Sequence, residues 1–202
     1  MPGIDELISK SLSKVINNEL DPKLAKKVKM TLFKKHGISL LKGVKDFPKV
    51  DEVLKEFLEL DSSSFEQKCL MKVLTLKNLK NLTVVTIKDK NLQNLFLEIL
   101  GDKEYGRIIE STVSKPLLIK EIIDECQLSK TSGYRKINYL IHNGFLIEAK
   151  TEFTIKHRSI TRYTTIFKKI GFELNENQKS VKLTIPVKTI KQSSSIQTIL
   201  NL

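Results

Sequence analysis

The chain has 202 residues, of which 40% are hydrophobic and 29% are charged, with a formal net charge of +12 at pH 7. This composition suits one large globular domain or two small ones, and the excess charge favours polyanionic partners. It excludes a disulfide framework or zinc site, because only Cys69 and Cys126 are available, and it offers no apolar run of the roughly 18 residues that a membrane span needs. Without a signal-like N-terminus, we expect a cytoplasmic protein with both cysteines in its core.

Helical spacing of apolar residues dominates the first third of the chain. Residues 4–20 predict one helix, and Asp21-Pro22 ends it and starts a second, which Gly37 terminates. A third helix is expected after Pro48 and a fourth from Ser62 to about residue 79. We therefore predict an all-helical domain over residues 1–75.

The segments KKHGISL, FPKVDEVLKEFL and FEQKCLMKVL follow one another in an order that resembles a small helical output domain of archaeal signalling and regulatory proteins. The resemblance covers residues 4–75 and does not specify a biochemical role. We expect this domain to sense a signal, to dimerise or to contact a partner in the transcription machinery.

The middle and end of the chain mix helical and strand patterns. Residues 76–92 contain the β-branched run Leu82–Ile87 between polar flanks and are interpreted as a linker at a domain boundary, which contains either a short strand or a loose helix. A helix with a break at Gly101 follows, then a helix from about Ile119, a tight turn, and a helix that Ser129 caps and Asn143-Gly144 ends. Strands are expected over 145–156 and 159–167, a further hairpin over 172–187, and a serine-rich flexible tail over 189–202.

The stretch PLLIKEIIDECQLSKTSGYRKINYLIHNGFLIEAK carries helix, turn, helix and strand in that order. Its apolar spacing and its Asn-Gly exit resemble the archaeal winged helix-turn-helix regulators of the ArsR-like type, over about residues 94–167. The resemblance implies an α+β protein, in which the N-terminal all-helical domain precedes a winged-helix DNA-binding domain with additional C-terminal strands, over residues 93–188. No CxC motif is present, which disfavours the metal-sensing branch. Gly133 departs from the family pattern, and could permit a close helix approach or bend the third helix.

Positive charge is concentrated at the end of the chain. Residues 129–202 hold 13 Lys/Arg and 4 Asp/Glu, a net of +9, whereas residues 1–75 have a net of +3 and residues 76–128 a net of zero. No acidic residue occurs from 129 to 147. A solvated helix usually pairs its lysines with acidic residues. The absence of acids from 129 to 147 therefore favours a surface that faces a polyanion over a general enrichment in lysine.

The predicted DNA contacts divide between the third helix and the wing. Arg can bond guanine, Asn can bond adenine and Thr methyls can touch thymine, whereas Lys suits phosphate. Base readers are expected at Thr131, Ser132, Arg135, Asn138 and Tyr139, and phosphate contacts at Lys130 and Lys136, with Tyr134 beside them. The resemblance implies further contacts from the wing, through Lys156, His157, Arg158 and Arg162.

We do not expect an enzyme, a metal site or a cofactor. The histidines His36, His142 and His157 are scattered, and the sequence has no phosphate-binding glycine loop. The expected function is that of a transcriptional regulator that binds double-stranded DNA, could form a homodimer and has no membrane partner. The alternative is a winged helix that serves as a protein-interaction scaffold in transcription or chromatin machinery. RNA is a further target that the sequence leaves open.

Overall fold

The structure, a computed structural model, describes residues 3–153, 159–175 and 178–201. As predicted, the chain is α+β. The helices are α1 (Gly3–Glu19), α2 (Pro22–His36), α3 (Leu40–Gly43), α4 (Phe47–Leu58), α5 (Ser62–Val73), α6 (Lys90–Gly101), α7 (Lys103–Ser114), α8 (Ile119–Glu125), α9 (Lys130–His142), α10 (Val187–Lys191) and α11 (Ser194–Leu200). The strands are β1 (Leu74–Asn78), β2 (Leu82–Ile87), β3 (Leu117–Leu118), β4 (Leu146–Phe153), β5 (Ser159–Thr165), β6 (Lys169–Asn175) and β7 (Gln178–Pro186). Within these ranges, no helix has both the length and the apolar character to cross a membrane.

Local signals place the first helices correctly. The Asp21 carboxylate accepts a hydrogen bond from the Lys23 amide at 2.9 Å, Pro22 opens α2, and Gly37 closes it with φ of 67°. The prediction that the fourth helix runs to about residue 79 is wrong. Helix α5 ends at Val73, because Leu74 adopts an extended conformation and pairs with Ile87 on β2.

A four-stranded antiparallel sheet joins distant parts of the sequence, in the order β1-β2-β7-β6. Strand β2 pairs with β7, so that Val85 lies opposite Leu183. Residues 76–92 are therefore not a linker, and the C-terminal strands do not extend the strands of the predicted wing. The β-branched run of β2 alternates buried and accessible positions, and β7 supplies the partner that its backbone needs.

The serine-rich tail, predicted to be flexible, forms α10 and α11. The Asp5 carboxylate accepts hydrogen bonds from the Ser193 hydroxyl at 2.7 Å, the Ser194 amide at 2.7 Å and the Ser195 amide and hydroxyl. Burial raises the pKa of Asp5, and these bonds oppose the shift. Buried Ile196 and Ile199 add apolar contact, so the serines order the tail because α1 provides their acceptor.

Helices α6 to α9 and strands β3 to β5 form the middle of the chain. The short sheet has the order β3-β5-β4, and Leu117 on β3 lies opposite Tyr163 on β5. Buried rings connect the helices to this sheet, because Phe96 of α6 lies 4.6 Å from Phe145 and 6.2 Å from Phe167, between ring centroids. This aromatic cluster fixes the sheet against α6.

Glu66 is a buried acid in the helical part of the chain. Its side chain on α5 is 2% exposed, and its Oε1 atom has no hydrogen-bond partner among the described residues. Burial raises the pKa of Glu66 to about 8, the charge of Asp51 adds to the shift, and Lys55 opposes it. Folding therefore keeps Glu66 protonated at neutral pH.

We predict that this proton makes stability depend on pH. Between the ordinary pKa of 4.5 and about 8, the folded chain binds one more proton than the unfolded chain. The free energy of unfolding should fall as pH rises through this window, by at most about 1.4 kcal/mol per pH unit from this group. In urea unfolding measured at several pH values, Glu66→Gln should flatten the dependence and stabilise the protein above pH 7. Equal slopes in the variant and the wild type would show that Glu66 is not the cause.

Candidate nucleic-acid interface

A tight turn connects α8 to α9 and leaves one side of α9 exposed. Gln127 adopts a left-handed conformation with φ of 51°, which reverses the chain after α8. The Ser129 hydroxyl then accepts a hydrogen bond from the Ser132 amide at 3.3 Å, as predicted for a helix N-cap. Gly144 has φ of 74° and lies against the Leu7 backbone of α1, so the Asn-Gly exit is also confirmed.

The buried side of α9 contains Gly133, Ile137 and Leu140, as the sequence predicted. The structure explains the glycine. A Cβ atom at Gly133 would lie only 2.6 Å from Cγ1 of Ile123 on α8. The absence of a side chain therefore permits a close approach of the two helices, one of the two roles that the sequence left open.

The opposite side of α9 exposes a continuous polar stripe. At 100° per residue, Thr131, Arg135, Asn138 and His142 fall within about 60° of one another, and all four are exposed. Lys130 is exposed at the start of the helix, and Tyr134 is 48% exposed beside the stripe. We call Lys130, Thr131, Tyr134, Arg135, Asn138 and His142 the α9 face.

Lys136 is not part of this face, and its assignment as a phosphate contact is corrected. It is 8% exposed, and its Nζ lies 2.5 Å from the Asp102 carboxylate and 3.3 Å from that of Glu104. Its ammonium also lies 4.2 Å from the centroid of the Tyr105 ring. The hydrogen bond from Lys136 is the main cause that lowers the pKa of Asp102, which caps α7. Lys136 thus ties α9 to α7.

Two predicted base readers lie at the edge of the helix next to α7. The Ser132 hydroxyl donates a hydrogen bond to Glu104 at 3.4 Å, and the Tyr139 ring lies 5.6 Å from the Tyr105 ring between centroids. Both side chains are half-buried, and burial raises the pKa of Tyr139. Their contacts within the chain make them weaker candidates for base reading than the α9 face.

The predicted wing is only partly described. Lys156, His157 and Arg158 lie outside the described residues. Arg162 lies on β5, where its guanidinium donates to the Glu121 carboxylate of α8 at 2.8 Å. That carboxylate also accepts from the Leu118 amide at 2.8 Å. Arg162 therefore holds the sheet to α8, and its charge is compensated within the chain.

His142 is exposed on the polar side of α9, where its spacing predicts it, although it is not among the predicted DNA contacts. It follows Arg135 by seven residues and so lies on the same side of the helix. The same geometry identifies Lys136 as an inward residue, three residues after Gly133 and four before Leu140. Helical angle separates these two residues where side-chain charge alone does not.

The described residues contain no group of three or more His, Cys, Asp or Glu side chains that could hold a metal ion. No protein-family model, curated protein or solved structure matches this chain. The case for a function therefore depends on the geometry and charge of the α9 face.

We predict that Gly133→Ala will lower stability. An added methyl group improves helix propensity by about 1 kcal/mol, but overpacking against Ile123 should cost more than this gain, up to about 3 kcal/mol. Gly106→Ala on α7 is the matched control, because its Cβ would meet nothing within 4 Å, and it should be neutral or stabilising. Thermal unfolding of both variants tests this. A Gly133→Ala protein as stable as Gly106→Ala would contradict the close approach of α8.

Proposed function

We propose that this protein is a transcriptional regulator that binds double-stranded DNA by placing α9 in the major groove. The observation that carries the proposal is the α9 face. Its exposed side chains contain hydrogen-bond donors, acceptors and positive charge but no acid, on a helix that is anchored along its other side.

The arrangement around α9 supports the proposal. A helix, a tight turn, a second helix and a small antiparallel sheet in the order β3-β5-β4 are the parts of a winged helix-turn-helix. In that architecture the second helix of the motif enters the major groove with its first residues near the base edges. Lys130, Thr131 and Tyr134 occupy these positions.

The side chains of the α9 face match the chemistry of base edges and phosphates. Arg135 can donate two hydrogen bonds to guanine, and Asn138 can both donate to and accept from adenine. The Thr131 methyl group can contact thymine, whereas Lys130 at the helix start suits a phosphate oxygen. A B-form major groove is wide enough for a helix, while that of RNA is narrow, so duplex DNA is the preferred target.

Salt dependence of duplex binding tests the proposed function. Fluorescence anisotropy with a labelled pool of random duplexes should show affinity falling with salt, with a logarithmic slope of about −0.9 for each phosphate contacted. Binding that is absent at low salt would contradict the proposal and favour the protein-interaction alternative. Selection of bound duplexes from the same pool should then enrich a sequence motif.

We predict that Arg135→Ala will relax base preference in the selected motif. Loss of one bidentate contact should cost about 1–3 kcal/mol of binding free energy at one position of the site. Arg107→Ala is the matched control, because Arg107 is an exposed arginine on α7 that does not belong to the α9 face, and this variant should bind normally. Equal losses for the two variants would mean that Arg135 contributes charge only.

We predict that the two lysines of α9 have different roles, so that replacing Lys130 weakens DNA binding and replacing Lys136 lowers stability. Lys130→Ala should weaken DNA binding on all sequences and reduce the salt slope by about 1, without loss of stability. Lys136→Met should lower the free energy of unfolding by about 1 kcal/mol, because it leaves the carboxylates of Asp102 and Glu104 without their cation, and should leave the salt slope unchanged. A smaller salt dependence of DNA binding for Lys136→Met would instead indicate that Lys136 contacts a phosphate.

A further inference from the structure

Helix α2 presents an unusual surface on the N-terminal part of the chain. It contains six lysines and no acid between Pro22 and His36. Its buried side contains Ala25, Val28 and Leu32. On the outward side, Met30 is 48% exposed and Phe33 is 66% exposed, so two large apolar side chains lie in water among positive charges.

Four of these lysines surround the exposed apolar side chains. At 100° per residue they fall within about 60° of Met30 around the helix. All are exposed, and none forms an ion pair within the described part of the chain; they are Lys23, Lys26, Lys27 and Lys34. By contrast, Lys35 pairs with Glu52 and Glu56 of α4. We call the four lysines with Met30 and Phe33 the α2 face.

The turn between α4 and α5 has the opposite character. Leu60 is 98% exposed in the 3-10 turn Glu59–Asp61, between two exposed acids that form no ion pair with any described residue. Glu59 has φ of 49° and ψ of −121°, a conformation that is strained for a non-glycine residue. The chain thus holds a leucine fully in water, flanked by negative charge, on a strained turn.

We propose that two copies of this chain associate through their N-terminal helices, with the Glu59–Asp61 turn of each copy seated on the α2 face of the other. Leu60 would bury its side chain against Met30 and Phe33, while the surrounding lysines pair with the carboxylates of Glu59 and Asp61. The two surfaces complement each other in both apolar character and charge. This inference is independent of DNA binding by α9.

A second copy fits the α2 face better than a nucleic acid or a membrane does. Phosphates would satisfy the lysines but would leave Met30 and Phe33 without apolar partners. Insertion into a bilayer needs a larger apolar area than two side chains, because the main apolar side of α2 already lies in the core. The contact is small, so we expect weak, salt-sensitive association with a dissociation constant in the micromolar range or above.

Analytical ultracentrifugation of the full chain tests this proposal, over roughly 1 µM to 1 mM protein. The wild type should associate, more tightly at low salt. Lys27→Glu/Lys34→Glu on α2 and Glu59→Lys/Asp61→Lys on the turn should each weaken self-association at least tenfold, because like charges then face each other. Lys77→Glu/Lys80→Glu, at exposed positions on and after β1, is the matched control and should associate like the wild type.

Mixing the two charge-reversed proteins gives the decisive result. In the mixture, the acidic α2 face of one variant meets the basic turn of the other, and the second contact keeps its native charges. Association should return to within about threefold of the wild type. A monomeric wild type, self-association that ignores both reversals, or a mixture that stays monomeric would overturn the proposal.

Two further results would overturn it in favour of another partner. The first is a monomeric chain whose duplex affinity falls with Lys27→Glu/Lys34→Glu, which would make the α2 face a DNA contact. The second is a monomeric chain that binds phosphatidylserine–phosphatidylcholine vesicles through the same lysines. The Arg135→Ala variant distinguishes a failure of this proposal from a failure of the proposed DNA binding. It should alter DNA binding by α9 but leave self-association unchanged.

Discussion

The Asp5 carboxylate holds the start and end of the described chain together. It accepts hydrogen bonds from Ser193, Ser194 and Ser195 while it is fully buried, so the tail and α1 stabilise each other. Helix α1 in turn reaches the end of α9, because Gly144 lies on its backbone and Lys10 donates to Asn143 at 3.0 Å. The first half of α1 therefore holds both the C-terminal tail, through Asp5, and the end of the proposed DNA-reading helix.

Helix caps and turns were predicted correctly because they depend on neighbouring residues. The features that were predicted wrongly depend on contacts between residues far apart in the sequence. The caps at Asp21 and Ser129 and the turn at Gly144 follow from neighbouring residues, and each was found where the pattern indicated. The contact of β2 with β7 spans about a hundred residues, and no local signal specifies it. The serines of the tail read as disordered because their acceptor, Asp5, lies at the other end of the chain.

The candidate site shows the same division. Helical angle alone predicts the exposed stripe of Thr131, Arg135 and Asn138, and applied strictly it also excludes Lys136. The acids that neutralise Lys136 are the N-cap residue of α7 and a residue in its first turn, so the acid-free run in the sequence overstated the free positive charge of α9. The role of Gly133 needed the position of Ile123 on the preceding helix, which depends on how the two helices pack. Charge counts along a sequence measure composition, whereas binding depends on which charges remain uncompensated in space.

Backbone amide chemical shifts, recorded while a short duplex from the selected pool is added, would locate the DNA contact directly. If α9 binds in the major groove, the largest chemical-shift changes should occur at the amides of the α9 face, including those of Thr131, Arg135 and Asn138. The chemical shifts of the amides in α2 and in the Glu59–Asp61 turn should not change when DNA is added at protein concentrations where the chain does not self-associate. Changes confined to α2, or none on α9 at saturating duplex, would contradict the assignment of α9 as the DNA-reading helix.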